Sequence, residues 1–337
     1  MPTAIGNTYL TLVDWVKRQR PGGGIDEIIE ALAESNPIIK DAAVVEGNLP
    51  TGHRTTVRSG LPSVAWRLLN YGVQPSKSTT KQVDDACGIL EGYSRVDVDL
   101  AKLNGNEAAF RASEDDAFIE SMNQTVASSI FYADSAVDPE KFLGLESRYD
   151  DSTAANATNI INGGGTGADN TSMWLITWGP KTCHLIFPKG SKAGITNKDL
   201  GEQTVEDAQT PAGLYQAYVT HFQWKLGLTL RDWRYVVRIA NIDVSELSDD
   251  ADTGTDLIRK AIKAYYKRPT AALGNLGRTY WYVNKTLAEY LHSQSLNKTN
   301  VNLSLGEVDG RPVTKLCGVP VRVCDALDID EATVAGI

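Results

Sequence analysis

The clearest pattern of apolar and polar positions lies in residues 214–231, LYQAYVTHFQWKLGLTLR. Tyr218, Phe222, Trp224, Leu226, Leu228 and Leu230 share one face, and Val219, His221, Gln223, Lys225, Gly227, Thr229 and Arg231 share the other. Period two sustained this far predicts an antiparallel strand buried on one side and about twice the usual length. Trp233, Tyr235, Val237 and Ile239 resume the alternation after a phase shift at Asp232, as a bulge or turn produces. A helical period governs residues 106–133, where Ala108, Ala112, Ile119, Met122, Val126, Ile130 and Ala133 recur at steps of three, four or seven. Phe118 widens that stripe, no Gly or Pro interrupts it, and Asp138-Pro139 marks the exit. A helix of this length reaches about 42 Å, far beyond the average, which suits a spine.

Shorter elements surround these two. Leu10, Val13 and Val16 predict a short amphipathic helix over residues 8–20, closed by Pro21 and three glycines. A second short helix opens at Asp26 and Glu27, carries Ile25, Ile28, Ile29 and Leu32, and stops at Asn36-Pro37. Two such helices joined by Gly22-Gly23-Gly24 form no core of their own, which predicts an amino-terminal arm. Residues 150–171 read as a loop containing GGGTG at 163–167, followed by buried strands at MWLITW and HLIFP. TDLIRKAIKAYYK at 255–267 is a helix ended by Arg268-Pro269; TYWYVN is a strand; TLAEYLHSQS is a helix with Thr286 as its cap. The carboxyl end, VTKLCGVPVRVCDAL, reads as a strand pair around Gly318-Val319-Pro320. Helices and antiparallel strands are segregated rather than alternating, so the fold class is α+β.

Charge adds a feature that the periodicities do not show. Residues 47–83 hold Arg54, Arg58, Arg67, Lys77 and Lys81 and no Asp or Glu. Residues 84–120 hold ten acids against three bases, so adjacent segments carry +5 and −7. The basic stretch is also punctuated by Pro50, Gly52, Gly60, Pro62, Gly72 and Pro75, and it has little with which to build a core. It reads as an extended hairpin arm that lies on another surface. Arg54, Arg58, Arg67, Lys77 and Lys81 on one side, and Glu114, Asp115 and Asp116 on the other, are the candidate residues of a contact between copies.

The chain has 337 residues, a net charge of −9 and a hydrophobic content of 42%. A large core is possible. The acidic balance argues against a protein whose main task is wrapping nucleic acid. No apolar run approaches the ~18 residues of a membrane span, and the start lacks the order of a signal peptide, so cytoplasmic synthesis is expected.

Candidate chemistry is sparse. Cys87, Cys183, Cys317 and Cys324 match no zinc or redox spacing, and reduced thiols are expected. GGGTGADN lacks the Lys-Ser/Thr of a P-loop. His53, His184, His221 and His292 form no ligand motif, and Asp97 and Asp99, on the same face of an expected strand, fit a solvated edge better than a cation site. No catalytic elbow or Cys-His signature occurs. No catalytic residue, cofactor or metal is therefore expected. The alternative reading is an α+β enzyme acting on a small molecule, with the 163–167 loop over its site.

The order of elements, arm, basic hairpin, acidic segment, spine helix, long-stranded β region and a closing GxPxxxxD segment, resembles a tailed-bacteriophage major capsid protein of the Hong Kong 97-type fold. The residues that carry the resemblance are RSGLPSVAWRLLNYGVQPSKSTTKQVDDACGILEGYSRVDVDLA at 58–101, FLGLESRY at 142–149 and GRPVTKLCGVPVRVCDALDIDEA at 310–332. The resemblance implies an N-terminal arm at 1–49 and an extended E-loop at 50–95. It implies a P-domain at 96–149 and 211–249, containing the spine helix 106–133. The A-domain would comprise mainly 150–210 and 250–337, with carboxyl-terminal strands returning to the core. It also implies self-assembly into hexamers and pentamers of an icosahedral shell around packaged double-stranded DNA, touched without sequence preference. The implied partners are further copies, a separate scaffolding protein, a portal protein and a cement or decoration protein. The implied location is the virion capsid, assembled in the host cytoplasm, with no membrane. Lys77 and Lys81 lie in the loop, but no motif supports a covalent crosslink through them.

Overall fold

The computed structural model describes residues 10, 14, 34–207, 213–247, 256–269, 277–295, 303–308 and 311–337. The two helices expected at 8–20 and from Asp26 onward lie almost wholly outside them. The chain forms two compact units, one of Met1–Glu34, Ile89–Val126 and Gly194–Lys225, the other of Ser35–Gly88, Ala127–Ala193 and Leu226–Ile337.

The elements in chain order begin with α1 (Ile38–Asp41), β1 (Val44–Glu46), β2 (Gly52–Gly60), β3 (Thr79–Asp97), α2 (Val98–Lys102) and α3 (Glu107–Tyr132). There follow β4 (Ile160–Asn162), β5 (Asn170–Trp178), β6 (Cys183–Phe187), β7 (Ile195–Glu206), β8 (Leu214–Leu230) and β9 (Val236–Asp243). The last are α4 (Leu257–Lys267), β10 (Arg278–Val283), α5 (Lys285–Ser295), β11 (Leu303–Val308), β12 (Arg311–Leu316) and β13 (Val319–Val323). The uninterrupted helical period thus becomes one helix of 26 residues.

In the larger unit, β5 lies between β9 and β10 and is antiparallel to both. β4 extends one side parallel to β9, and β13 extends the other parallel to β10. The β12–β13 hairpin turns at Cys317 and Gly318, both at positive φ, one position before the expected Gly-Val-Pro. Every residue of β5 and of β9 is buried, because neighbouring strands and helices cover both faces. One-sided alternation ends earlier than expected, within β8, where Leu226, Gly227, Leu228 and Thr229 are all buried, and Trp233–Tyr235 make a single helical turn before β9. α4 buries Leu257, Ile258, Ala261 and Ala264, and α5 buries Leu287 and Leu291, against Met173, Leu175, Val237, Ile239 and Trp281.

Several local expectations are corrected. Asn284, not Thr286, caps α5, its Oδ1 accepting from Leu287 N at 2.8 Å. Asp97 closes β3 and caps α2, its Oδ1 accepting from Asp99 N at 2.8 Å, so Asp97 and Asp99 do not sit two apart on one strand. The GGGTG run is not a free surface loop. Gly163 N donates to Ala240 O at 2.6 Å and Gly165 N to Asn241 O at 2.8 Å, which lays the glycines along β9. Both glycines are buried, and Lys260 Nζ donates to Gly163 O. A side chain at 163 would strike the Asn241 carbonyl, which is why the run is glycine.

In the smaller unit, β7 pairs antiparallel along β8 from Ile195↔Trp224 to Glu206↔Leu214, with a bulge between Asp199 and Gly201. That pairing ties 195–206 to the long strand rather than to the 150–193 segment with which the sequence grouped it. Phe118 of α3 stacks on Phe222 at 5.9 Å, and Val96, Leu100, Ala101 and Phe110 close a small core.

Candidate assembly surface

β2 and β3 form a hairpin with the register His53↔Asp85, Arg54↔Asp84, Val57↔Lys81 and Arg58↔Thr80. The ladder slips between Arg58 and Gly60 and then stops. Pro62 and Pro75 follow on the two limbs, and neither has an N–H with which to continue a ladder. Beyond it the chain runs out and back over residues 61–78, turning at Leu68–Tyr71 with Asn70 at φ 70°. Ser76 Oγ donates to Ser63 O at 2.6 Å and holds the limbs together.

The base of the hairpin is fixed by a buried ion pair. Arg148 Nη2 reaches Asp85 Oδ1 at 2.9 Å, with side chains only 11% and 4% exposed. The same guanidinium donates to the carbonyls of Leu143, Gly144 and Leu228, so its hydrogen-bonding capacity is largely used. Asn48 bridges the start of β2, accepting from Arg54 N at 2.7 Å and donating to Arg54 O at 2.8 Å. His53 meets the buried His184 edge-to-face at 5.7 Å. Burial, helped by His53 and the Arg231 charge, pushes His184 down to about 4, so it is neutral at neutral pH.

The tip is the opposite. Leu61, Val64, Trp66, Leu68, Leu69, Tyr71 and Val73 are all exposed, Trp66 completely and Val64 at 92%. Seven large apolar side chains thus stand exposed together on one segment, more than the scattered single residues of an ordinary surface. Sequence reasoning read an extended arm here and assigned its contacts to the charges alone. WRLLNY was legible as an apolar cluster, but nothing in the pattern told an exposed cluster from a buried one.

The eight candidate contact residues divide. Arg54 already holds Asp84 on the neighbouring strand through two bonds of 2.7 Å, and the Asp84 carboxyl falls below its ordinary range by hydrogen bonding to that arginine. Arg58, Arg67, Lys77 and Lys81 are exposed and have no ion pair among the described residues. On α3, Asp116 is exposed and Glu114 half-buried, while Asp115 turns inward. Asp115 Oδ2 accepts from Thr220 Oγ1 at 3.4 Å, and burial raises its pKa. Asp115 is therefore part of the smaller unit's own packing.

A second polar network lies inside the larger unit. Arg238 on β9 is fully buried; its Nε donates to Ser172 Oγ, and its Nη2 to Glu331 Oε2 and Glu146 Oε1, each at 2.9 Å. Tyr132 OH donates to Glu331 Oε1 at 2.6 Å, Ser172 Oγ donates to Oε2, and the guanidinium lies 5.2 Å over Trp174. Burial raises the Tyr132 pKa, so the phenol remains a donor. This network fastens the carboxyl-terminal segment to the sheet and offers no reactive group to solvent. Among the described residues, no cluster of His, Cys, Asp or Glu is arranged to hold a metal ion, and the four cysteines are free thiols. No helix among them is long and apolar enough to cross a membrane.

Comparison with known proteins bears on this surface. The family model described as major capsid protein GP7 matches residues 20–335. A chain of the bacteriophage Epsilon15 structure superposes with a TM-score of 0.80 at 35% identity, covering 99% of this chain and 100% of that one. The bacteriophage JBD30 capsid gives a TM-score of 0.49 at 9% identity, covering 88% and 93%. The capsid of Myoviridae phage XM1 gives 0.43 at 10%, covering 64% and 94%. These two are weak likenesses and carry no weight beside the first. None of the curated proteins matches the sequence.

Proposed function

The chain belongs to the major capsid protein GP7 family, and from that premise we propose how the subunit divides the work of building a shell. It is a tailed-phage capsid subunit of the Hong Kong 97-type fold that associates with its own copies in the virion. The hairpin of residues 50–95 is the E-loop, and it lies across a neighbouring subunit. The observation that carries this is the exposed apolar tip around Trp66. Burying such side chains stabilises a contact by about 1.5–3 kcal/mol each, so a copy that leaves them in water is incomplete.

The charged residues refine the contact. Of the exposed bases outside the groove beside the β8–β9 turn, Arg67 and Lys77 meet Glu114 and Asp116 of the neighbour, while Arg54 and Asp115 serve their own subunit and Arg58 and Lys81 line that groove. Exposed pairs contribute about 0–1 kcal/mol singly but recur at every contact of a closed assembly. The spine helix α3 and the β7–β8 ribbon form the P-domain, which takes residues 195–206 because of that ribbon. The A-domain is the sheet of β5, β9 and β10 with α4 and α5; the arm expected at 1–49 is confined to the residues before Ser35, because β1 pairs parallel to β6 of its own subunit and Ile38 is buried there. Hexamers and pentamers of this subunit close an icosahedral shell in the host cytoplasm, with a scaffolding protein, a portal and a decoration protein as partners. Packaged double-stranded DNA is touched without sequence preference, and a chain of net charge −9 does not condense it. The role is structural, not catalytic.

The test is expression of the intact chain, followed by electron microscopy and sedimentation. Wild type should yield shells or capsomers. Replacing Trp66 and Leu69 by Ser should leave the free subunit's unfolding midpoint unchanged and abolish assembly. Shells formed at wild-type yield by that variant would overturn the E-loop reading.

A further inference from the structure

Beside the base of the hairpin lies a groove of about 740 Å³, walled on one side by β2 and β3 and on the other by the β8–β9 turn. Arg58 and Lys81 stand on the first wall, Arg231 and Arg234 on the second, and Val57 and Trp233 are among its apolar lining. The one acid in the lining, Asp232, is neutralised by Arg234 through bonds of 2.9 and 2.7 Å. The groove is thus cationic in a chain whose net charge is −9. It suits an apolar side chain flanked by carboxylates.

The same unit displays such a segment elsewhere. Asp328, Ile329 and Asp330 are consecutive and exposed, Ile329 at 51%. Their backbone is held on both sides. Thr171 Oγ1 donates to Asp328 O at 2.6 Å, Asp328 N donates to Tyr132 OH at 3.0 Å, and Glu331 N donates to Asn170 O at 2.9 Å. A segment fixed in this way loses little conformational freedom on docking. The segment does not line the groove of its own subunit.

We infer that the groove is the docking site for residues 328–330 of a second copy, with Ile329 against the apolar lining and Asp328 and Asp330 facing Arg58, Lys81 and Arg231. Groove and segment are different surfaces of one chain, so the contact is heterologous, and repeating it by rotation closes a ring. This adds a second, carboxyl-terminal contact to the E-loop contact, and it rests on the chain being a shell subunit.

The test reverses charge on both sides of the contact. Arg58→Glu with Arg231→Glu should leave the free subunit folded by circular dichroism and lower shell yield about tenfold or more, as loss of one charge-paired contact does. Adding Asp328→Lys and Asp330→Lys to the same chain should restore at least half of the yield. Wild-type yield from the first variant, or no recovery in the second, overturns the inference. If the reversed variants misfold, zero-length carbodiimide coupling of wild-type protein decides it. An amide between Lys81 and Asp328 or Asp330 should form in shells and not in free subunits. Its absence from shells means that another protein or another segment fills the groove, and the inference is wrong. Failure of the wild type to form shells or capsomers would instead sink the underlying reading.

Discussion

Replacing Glu331 by Ala should be among the most damaging single changes in this subunit. The Glu331 and Arg238 side chains are 2% and 1% exposed. The change removes the acceptor for Arg238, Ser172 and Tyr132 at once. Arg238 keeps Glu146, whose side chain is 27% exposed, so its charge is not wholly abandoned. Breaking a buried pair costs about 3–5 kcal/mol, and the surviving partner places the expectation near the lower end, about 3 kcal/mol. Glu331→Gln keeps the shape and most of the hydrogen bonding but not the charge, and should cost about 2 kcal/mol. The informative variant is Arg238→Met with Glu331→Leu. It removes both members of the most buried pair and should cost less than Glu331→Ala, because the single variant leaves a buried guanidinium with one carboxylate in place of two. Urea unfolding of the unassembled subunit measures this, followed by circular dichroism. A cost below about 1 kcal/mol for Glu331→Ala, or a double variant worse than the single, would refute the reasoning.

Three further outcomes follow from the geometry. His184 is held near 4 when folded and returns to about 6.5 when unfolded, so the unfolded chain binds the extra proton between those values. Subunit stability should therefore be full above pH 6.5 and fall as pH drops towards 4, by up to roughly 3 kcal/mol; His184→Asn should flatten that slope in unfolding curves taken from pH 7 to 4.5. Asn284→Ala removes the cap of α5 and should cost about 1–2 kcal/mol by thermal unfolding, whereas Thr286→Ala should cost less than about 0.5 kcal/mol. Glu114→Lys with Asp116→Lys should leave the free subunit folded and lower assembly yield, while Asp115→Lys should unfold the α3–β8 packing; equal behaviour of the two would contradict the inward placement of Asp115.

The sequence by itself determined the elements whose signal is local. An unbroken helical period from Ala108 to Ala133 permits one long helix, and α3 is that helix. Alternation from Tyr218 to Leu230 permits one long strand, and β8 is that strand. Proline and glycine at 60–75 permit an arm and forbid a continuous ladder. The mixed helix-and-strand class was legible for the same reason, since each of these signals depends only on neighbours in the chain, but the parallel pairings of β1 with β6, β4 with β9 and β10 with β13 were not. The acid-free, turn-rich composition of residues 47–83 also marked that segment as an arm, although it did not show which of its side chains stand in solvent.

Tertiary structure decided everything that depends on what lies across from a residue. Whether Trp66, Leu68 and Leu69 face solvent or a core is a matter of which element packs on them, and apolarity alone is silent on that. Arg54 and Asp84 are thirty residues apart and meet only because the β2–β3 register places them opposite. Asp115 differs from Asp116 only by the hundred degrees of one helical step, which turns one carboxyl inward and the other to solvent. Glycines 163 and 165 looked like a loop because glycine signals freedom, yet here it signals a backbone pressed against β9 with no space for a Cβ. Arg238, Glu331, Glu146, Ser172 and Tyr132 come from five separate segments. Such a site has no sequence signature, because its members are joined by burial and charge rather than by spacing.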